Sequence, residues 1–285
     1  MTHGTGARAI LGIDAAWTAR QPSGIALAVE TRGGWRCAAV APSYDDFLRL
    51  ADGVPVDWAA RACLGAVPPV QALLAAVRRI APASRIEVAA VDMPLAAGRI
   101  TGRRACDDAL SRVYGGRGLG VHTPSVERPG ALSDGMHRAF AERGFRLATT
   151  APRRGTRHLL EVYPHTAVMA LTGSGYRVPY KLARARRYWP DATPRQRRER
   201  LLAEWRRILV TLRRVIAGID LPLPADPPER ASGMKRYEDA LDALVCAWVG
   251  IEFLEGRAIA FGDATAAIWS PAEPRAPDAP GAARA

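Results

Sequence analysis

Ala-Ile-Leu-Gly-Ile-Asp, residues 9–14, is a short apolar run that ends on a carboxylate and is followed at once by Ala-Ala-Trp. A continuous run of this length reads as a strand buried on both faces. Working outward, residues 24–30 (Gly-Ile-Ala-Leu-Ala-Val-Glu) and 34–41 (Gly-Trp-Arg-Cys-Ala-Ala-Val-Ala) read as two further strands, joined by a turn at Thr31-Arg32-Gly33-Gly34. Three strands in succession with short links predict a meander. Residues 67–80 predict a helix, with Pro68 and Pro69 near its start and apolar positions three or four apart. Residues 86–91 read as a fourth strand and 158–163 (His-Leu-Leu-Glu-Val-Tyr) as a fifth, ended by Pro164.

Between those two strands, residues 98–157 are rich in Gly, Arg and Pro. Helices over roughly 103–113 and 133–143 are expected there, with loop elsewhere, and so irregular a segment inside a compact domain is usually functional. Residues 194–217 predict a long basic helix whose apolar stripe runs through Leu201, Leu202, Trp205, Ile208, Leu209, Leu212 and Val215. A Pro-rich break at 220–230 precedes a last helix at 235–255. Paired strands first and helix-separated strands later give an α/β fold, a mixed sheet with helices on both faces. The expected organisation is one domain over residues 1–271, carrying the insert at 98–157 and the basic helix at 194–217, and a flexible tail over 272–285.

Bulk properties narrow the function classes. The chain has 285 residues, and a hydrophobic fraction of 48% with 24% charged residues supports a substantial core. No apolar run reaches the ~18 residues a membrane helix needs, and the N-terminus lacks a signal-peptide layout. The expectation is a cytoplasmic protein without a membrane partner. Cys37, Cys63, Cys106 and Cys246 stand alone, with no Cys-x-x-Cys pair for a zinc ribbon or thioredoxin-like site. The net charge of +12 comes almost wholly from arginine, since Lys181 and Lys235 are the only lysines. Such a charge fits attraction to a polyanion. It also fits the codon bias of an Ala-, Gly- and Pro-rich sequence. No Gly-x-x-x-x-Gly-Lys-[Ser/Thr] phosphate loop occurs.

The acids suggest chemistry. Asp14 and Asp92 each end an apolar run, and Asp239 and Asp242 sit three apart on the last helix, so they share one face. Two carboxylates at strand ends and a third on a late helix can gather around divalent metal ions. Singly, each has a plainer reading: a cap or turn for Asp14 and Asp92, and an exposed partner of Arg236 for Asp239. Glu161 reads as a further ligand or general base, or as the partner of an arginine in the insert. His165 and His122 are proton-shuttle candidates, with loop capping as the commoner role. Trp17 is expected in the core or as a lid, with base stacking as the alternative. Arg103, Arg104 and Asp107 are expected on one helix, either paired with one another or with the arginines offered to phosphate. Arg117 lies among Gly115, Gly116, Gly118 and Gly120, a backbone able to approach phosphate closely. Lys181 is a further candidate for neutralising phosphate.

Several motifs in order carry a resemblance. They are Gly-Ile-Asp-Ala-Ala-Trp and Pro-Ser-Gly-Ile-Ala-Leu within 12–27, Val-Asp-Met-Pro-Leu (91–95), Gly-Arg-Arg-Ala-Cys-Asp (102–107) and Tyr-Gly-Gly-Arg-Gly (114–118). His-Thr-Pro-Ser (122–125), Glu-Arg-Pro-Gly (127–130), Glu-Val-Tyr-Pro-His (161–165), Pro-Tyr-Lys (179–181) and Asp-Ala-Leu-Asp-Ala (239–243) follow. Together they resemble the DUF429 family of predicted ribonuclease-H-like nucleases, over roughly residues 9–271. The resemblance implies a ribonuclease-H-like sheet and a metal-dependent nuclease using Mg²⁺ or Mn²⁺. It maps Asp14, Asp92 and either Asp242 or Asp239 to the family's metal-binding acids. The residue reading adds to it: Asp14, Asp92 and Asp242 as catalytic metal ligands with Asp239 or Glu161, Glu161 and Lys181 as further catalytic candidates, and Arg103, Arg104, Arg117 and Lys181 on phosphates of a nucleic acid. Two alternatives stand beside it: a non-catalytic nucleic-acid-binding or interaction protein, and a nucleotide phosphotransferase, which would normally duplicate the domain.

Overall fold

A computed structural model describes residues 6–59 and 63–273. Its strands are β1 (Ala7–Asp14), β2 (Gly24–Thr31), β3 (Gly34–Ala41), β4 (Ser84–Val91), β5 (Phe145–Leu147), β6 (Arg157–Val162), β7 (Ile216–Ala217), β8 (Ala258–Gly262) and β9 (Ala267–Pro271). The helices are α1 (Tyr44–Ala51), α2 (Val70–Ile80), α3 (Ala105–Tyr114), α4 (Ala131–Glu142), α5 (Pro164–Thr172), α6 (Ala185–Tyr188), α7 (Pro194–Val215) and α8 (Ala231–Leu254).

The strands form one mixed sheet in the order β7-β3-β2-β1-β4-β6-β9-β8, with β5 also paired to β6. The expected meander is present: β1, β2 and β3 pair antiparallel, and Gly34 turns the last hairpin at φ +106°, which suits glycine. On its other side β1 pairs parallel with β4, and β4 pairs parallel with β6. Three strands therefore run alongside one another and end at the same rim, at Asp14, Val91 and Val162.

Strand alternation divides the core in two. Ala9, Leu11 and Ile13 of β1 face Tyr44, Phe47, Leu73 and Phe140 of α1, α2 and α4. Ile10 faces the opposite layer, where Leu241, Leu244 and Val245 of α8 pack with Leu201, Trp205 and Leu209 of α7. Helices thus cover both faces, as expected. Main chain approaches main chain where α8 crosses β1 and β2. A Cβ added to Gly12 would fall 2.2 Å from the Ala243 carbonyl oxygen, and one at Gly24 would fall 2.0 Å from that of Asp239.

Several elements depart from the sequence expectations. Residues 98–157 hold the two expected helices in a segment otherwise largely of loop, but they are built into the core. They hold α3, α4 and β5, and Cys106, Leu110, Tyr114, Met136 and Phe140 are buried in the two cores. The reason is that α3 packs against β8 and β9, which were expected neither as strands nor as cover. The helix expected at 103–113 begins at Ala105, so Arg103 precedes it and Arg104 is its N-cap residue. Pro164 does not merely end a strand: it opens α5, where a missing N–H costs nothing. The helix expected from 67 starts at Val70, and α1 was not anticipated. β9 ends at Pro271, where the tail was expected to begin; residues 274–285 of that tail lie outside the described residues. No helix among the described residues is long and apolar enough to cross a membrane.

Candidate functional site

The rim where β1, β4 and β6 end opens into a cavity of about 510 Å³, within the ~300–1,000 Å³ typical of small-molecule sites. Asp14 and Asp92 stand at its floor, and the N–H of Asp92 donates to the carbonyl of Ile13 at 2.9 Å, tying the two strand ends together. Both residues are half-buried, and among the described residues neither carboxylate accepts a hydrogen bond or salt bridge. Burial and then the neighbouring Asp14 charge push the Asp92 carboxyl well above the ordinary range.

Of the α8 acids, neither Asp239 nor Asp242 lines the cavity; both are buried. Asp242 is fully buried; its Oδ1 accepts from the Tyr180 hydroxyl at 3.0 Å, and its Oδ2 is bonded by the Lys181 ammonium. Burial pushes the Asp242 carboxyl up to about 7 against the pull of Lys181. The Lys181 charge is disfavoured by burial, but Asp242 holds it well above its ordinary value. Asp239 is buried rather than an exposed partner of Arg236. Its Oδ1 is bonded by Lys235, while its Oδ2 has no hydrogen-bond partner. Arg236 turns away to the carbonyls of Asp57 and Trp58. Burial and the Asp14 charge push the Asp239 carboxyl well up against the pull of Lys235.

Sequence reasoning missed Glu238, which lines the cavity. It accepts from Lys235 at 3.1 Å and from the Leu182 N–H. Burial opposes its charge, yet Lys235 and Lys181 hold its pKa below the ordinary value. Both lysines of the chain thus neutralise acids of α8. The segment carrying Tyr180 and Lys181 is anchored by Trp205 of the basic helix, whose indole N–H donates to the Tyr180 carbonyl at 2.7 Å. That helix turns its stripe inward as expected. Five of its arginines, Arg195, Arg197, Arg206, Arg207 and Arg213, meet neighbouring carbonyls or acids, as Arg197 does with the Trp189 carbonyl and Arg195 with Glu199.

Glu161 and Arg104 form a separate buried group. One guanidinium bonds both Glu161 oxygens at 2.6 Å and also both Asp107 oxygens, at 2.7 and 3.2 Å. Asp107 further accepts from the Arg104 N–H at the start of α3 (2.9 Å), and Glu161 accepts from the Leu95 N–H (2.7 Å). This is the pairing of Glu161 with an arginine of the 98–157 segment. Burial raises the Glu161 carboxyl to about 7 even so. Cys106, Asp107 and Glu161 offer ligand atoms all within 4.8 Å of one another, a buried group that can hold a metal ion. The Arg104 charge occupies that role in the structure.

The other candidates fall as follows. Arg103 lies outside the cavity, bonded to Asp108, Thr123 and Ser111. Arg117 also lies outside it, paired with Glu273 and bonded to the carbonyls of Ser174 and Gly175. Their side chains are engaged by the protein, and only Arg104 and Lys181 of the phosphate candidates reach the cavity wall. His165 is buried in α5. Its Nε2 sits 2.7 Å from the Arg177 guanidinium, which can only donate, so the ring proton is on Nδ1. Burial, with Lys181 and Arg177, drives its pKa well below the ordinary value. Trp17 and His122 meet edge to face at the mouth, 6.4 Å between ring centroids.

The family model for DUF429, described as a protein of unknown function, matches residues 12–266. The chain belongs to that family. The match spans every residue of the rim, from Asp14 to Asp242, and the family's description assigns them no activity. No curated protein and no solved structure matches the chain.

Proposed function

We propose that this DUF429 protein is a metal-dependent phosphodiester hydrolase acting on nucleic acid, built on a ribonuclease-H-like sheet. The observation that carries the reading is the pair Asp14 and Asp92: close enough to raise the Asp92 carboxyl, open to the cavity, and without a salt bridge or hydrogen bond to either carboxylate among the described residues, although Lys181 lies within electrostatic reach. Two carboxylates that repel each other in a half-buried cleft favour a cation between them. The strand order β3-β2-β1-β4-β6, antiparallel on one side of β1 and parallel on the other, supports the ribonuclease-H-like reading of the sheet.

The donor chemistry suits a hard divalent cation, but the rim acids are not a preformed cage: among the described residues the group with three ligand atoms within 4.8 Å of one another is Cys106, Asp107 and Glu161. Oxygen donors suit Mg²⁺ or Mn²⁺, and the unpartnered Asp239 Oδ2 is a further oxygen in search of a partner. Asp14 and Asp92 would hold the ion, with Asp239 and Asp242 contributing from α8. When bound, such an ion activates water and stabilises the leaving oxygen. Lys181 and Lys235 favour the ionised forms of the helix acids against burial and hold them in place until then, and afterwards supply positive charge at the cavity wall. Glu161 acts as a positioning residue, because Arg104 and the Leu95 N–H occupy its oxygens.

A second reading draws on the same lysine pairs. Acids that are already neutralised suit a non-catalytic protein that binds anions without metal. Calorimetric titration of Mn²⁺ separates the two, with Asp14→Asn alongside and a cleavage assay on single- and double-stranded substrates. The expected result is Mn²⁺ binding and cleavage in the wild type and neither in a folded Asp14→Asn. Cleavage by Asp14→Asn at the wild-type rate refutes the assignment.

A further inference from the structure

The cavity has a second wall that the metal reading does not use. Arg177 and Arg184 line it from the segment after α5, and Arg128 lines it from the loop before α4. None of the three meets a carboxylate among the described residues. Arg177 donates to neutral groups only: His165, the Tyr188 hydroxyl and the Gly118 carbonyl. The Arg184 side chain makes no hydrogen bond or ion pair there. Arg128 lies over the face of Trp17, 5.9 Å from the ring centroid. These positions are built rather than incidental. Ser125 Oγ accepts the N–H groups of Glu127 and Arg128 (3.3 and 3.0 Å), fixing the loop that brings Arg128 to Trp17. Arg177 is gripped at three points. The fields of Arg177 and Arg184 also meet at the buried His165.

An arginine-rich chain can place such side chains in solvent at little cost. Three in one concave site, without acids of their own, leave a positive wall facing the open carboxylates of the rim. A planar fork of donors matches phosphate oxygens, and an indole at the mouth matches the face of a base.

We propose that this wall is the phosphate subsite of a nucleotide-sized ligand, with Arg177 and Arg184 on the phosphate and Trp17, backed by Arg128, on the base. A site of this volume takes a free nucleotide or the unpaired end of a strand, and excludes a continuous duplex. The inference deepens the proposed function and rests on it for the identity of the cleaved ester. Binding itself needs no metal, so it is tested apart from catalysis.

The test is calorimetry on the full chain in EDTA, with inorganic phosphate, a nucleoside monophosphate, a short single-stranded oligonucleotide and its blunt duplex. Binding of the monophosphate, with inorganic phosphate as competitor, is expected. Arg184→Gln, a side chain that holds nothing else in place, is expected to weaken both at least tenfold. Trp17→Leu is expected to weaken the nucleotide and leave phosphate unchanged. The oligonucleotide separates a strand end from a free nucleotide as the source: binding of either supports the subsite. No binding of any of these by the wild type, equal binding by Arg184→Gln, or a duplex that binds as tightly as the single strand overturns it. Failure of Mn²⁺ binding with nucleotide binding intact would sink the metal reading alone.

Discussion

Replacing Arg104 by Met removes a cation shared by two buried carboxylates, Asp107 and Glu161. Asp107 is fully buried and the Glu161 side chain is only 5% exposed. Both depend on four hydrogen bonds from a guanidinium that is itself 9% exposed. Removing one partner of a buried ion pair costs about 3–5 kcal/mol. In a domain near this size each kcal/mol lowers the melting temperature by about 2–4 °C, so a drop of roughly 6–20 °C is expected at pH 8 by differential scanning calorimetry. The pH dependence gives a sharper test. Glu161 already has a folded pKa raised to about 7, and loss of Arg104 removes a stabiliser of its ionised form. A carboxyl with a raised folded pKa costs stability as pH rises towards that pKa, and the cost vanishes on protonation. The deficit of Arg104→Met must therefore shrink between pH 8 and pH 5. With the guanidinium gone, Cys106, Asp107 and Glu161 become free to take a metal ion, and added Zn²⁺ should restore part of the lost stability. A deficit below about 1 kcal/mol, or one that grows as pH falls, refutes the reasoning.

Three further outcomes follow from the same geometry. Gly12→Ala drives a methyl group into the Ala243 carbonyl and the Ala247 N–H. It should cost about 3 kcal/mol or more, at or beyond the upper end for overpacking, read as a lower denaturation midpoint. Mn²⁺ affinity should rise from pH 6 to pH 8, because Asp92 and Asp242, with its pKa of about 7, must lose protons to bind. Calorimetry in buffers of different ionisation enthalpy should register the released protons, and a flat profile removes Asp242 from the ligand set. Lys181→Met leaves Asp242 with only the Tyr180 hydroxyl. Its carboxyl should then titrate above 7, raising the pH at which Mn²⁺ binding is half-maximal.

Much of the frame is legible because it depends on runs of residues. The apolar stretches of β1, β2, β3 and β4, and the helical pattern of α8, are local signals that tertiary packing reinforces. The missed elements carry signals that need a different reading. Ser43 caps α1 by accepting the Asp46 N–H, a short Ser-x-x-Asp signature ahead of a helix of only eight residues. Pro164 can end a strand or open a helix, and the choice depends on the core into which Val168 and Met169 pack. At the site, Asp14 and Asp92 stand out because a strand end exposes them. Glu238 does not, since a glutamate beside an aspartate on a helix looks like ordinary surface charge. The useful arginines are harder still. Arg177 and Arg184 differ from the arginines of α7 only in what faces them, and that is decided by segments far away in sequence. Arg103 and Arg117 illustrate the converse: motif neighbours whose side chains the fold uses for its own loops.

The glycines under α8 have a mechanical consequence. Helices usually rest on sheets through a cushion of side chains, which can rearrange when a neighbour changes. At Gly12 and Gly24 that cushion is absent, and helix backbone lies against strand backbone. The offset between the strand-borne acids and the helix-borne acids is therefore a hard stop, set by bond lengths and atomic radii instead of rotamers. In the metal centre proposed above, such a stop would limit how far the helix-borne and strand-borne acids could close around a small ion. Ala243 and Ala247, which touch nothing in the cavity, then act as its calipers.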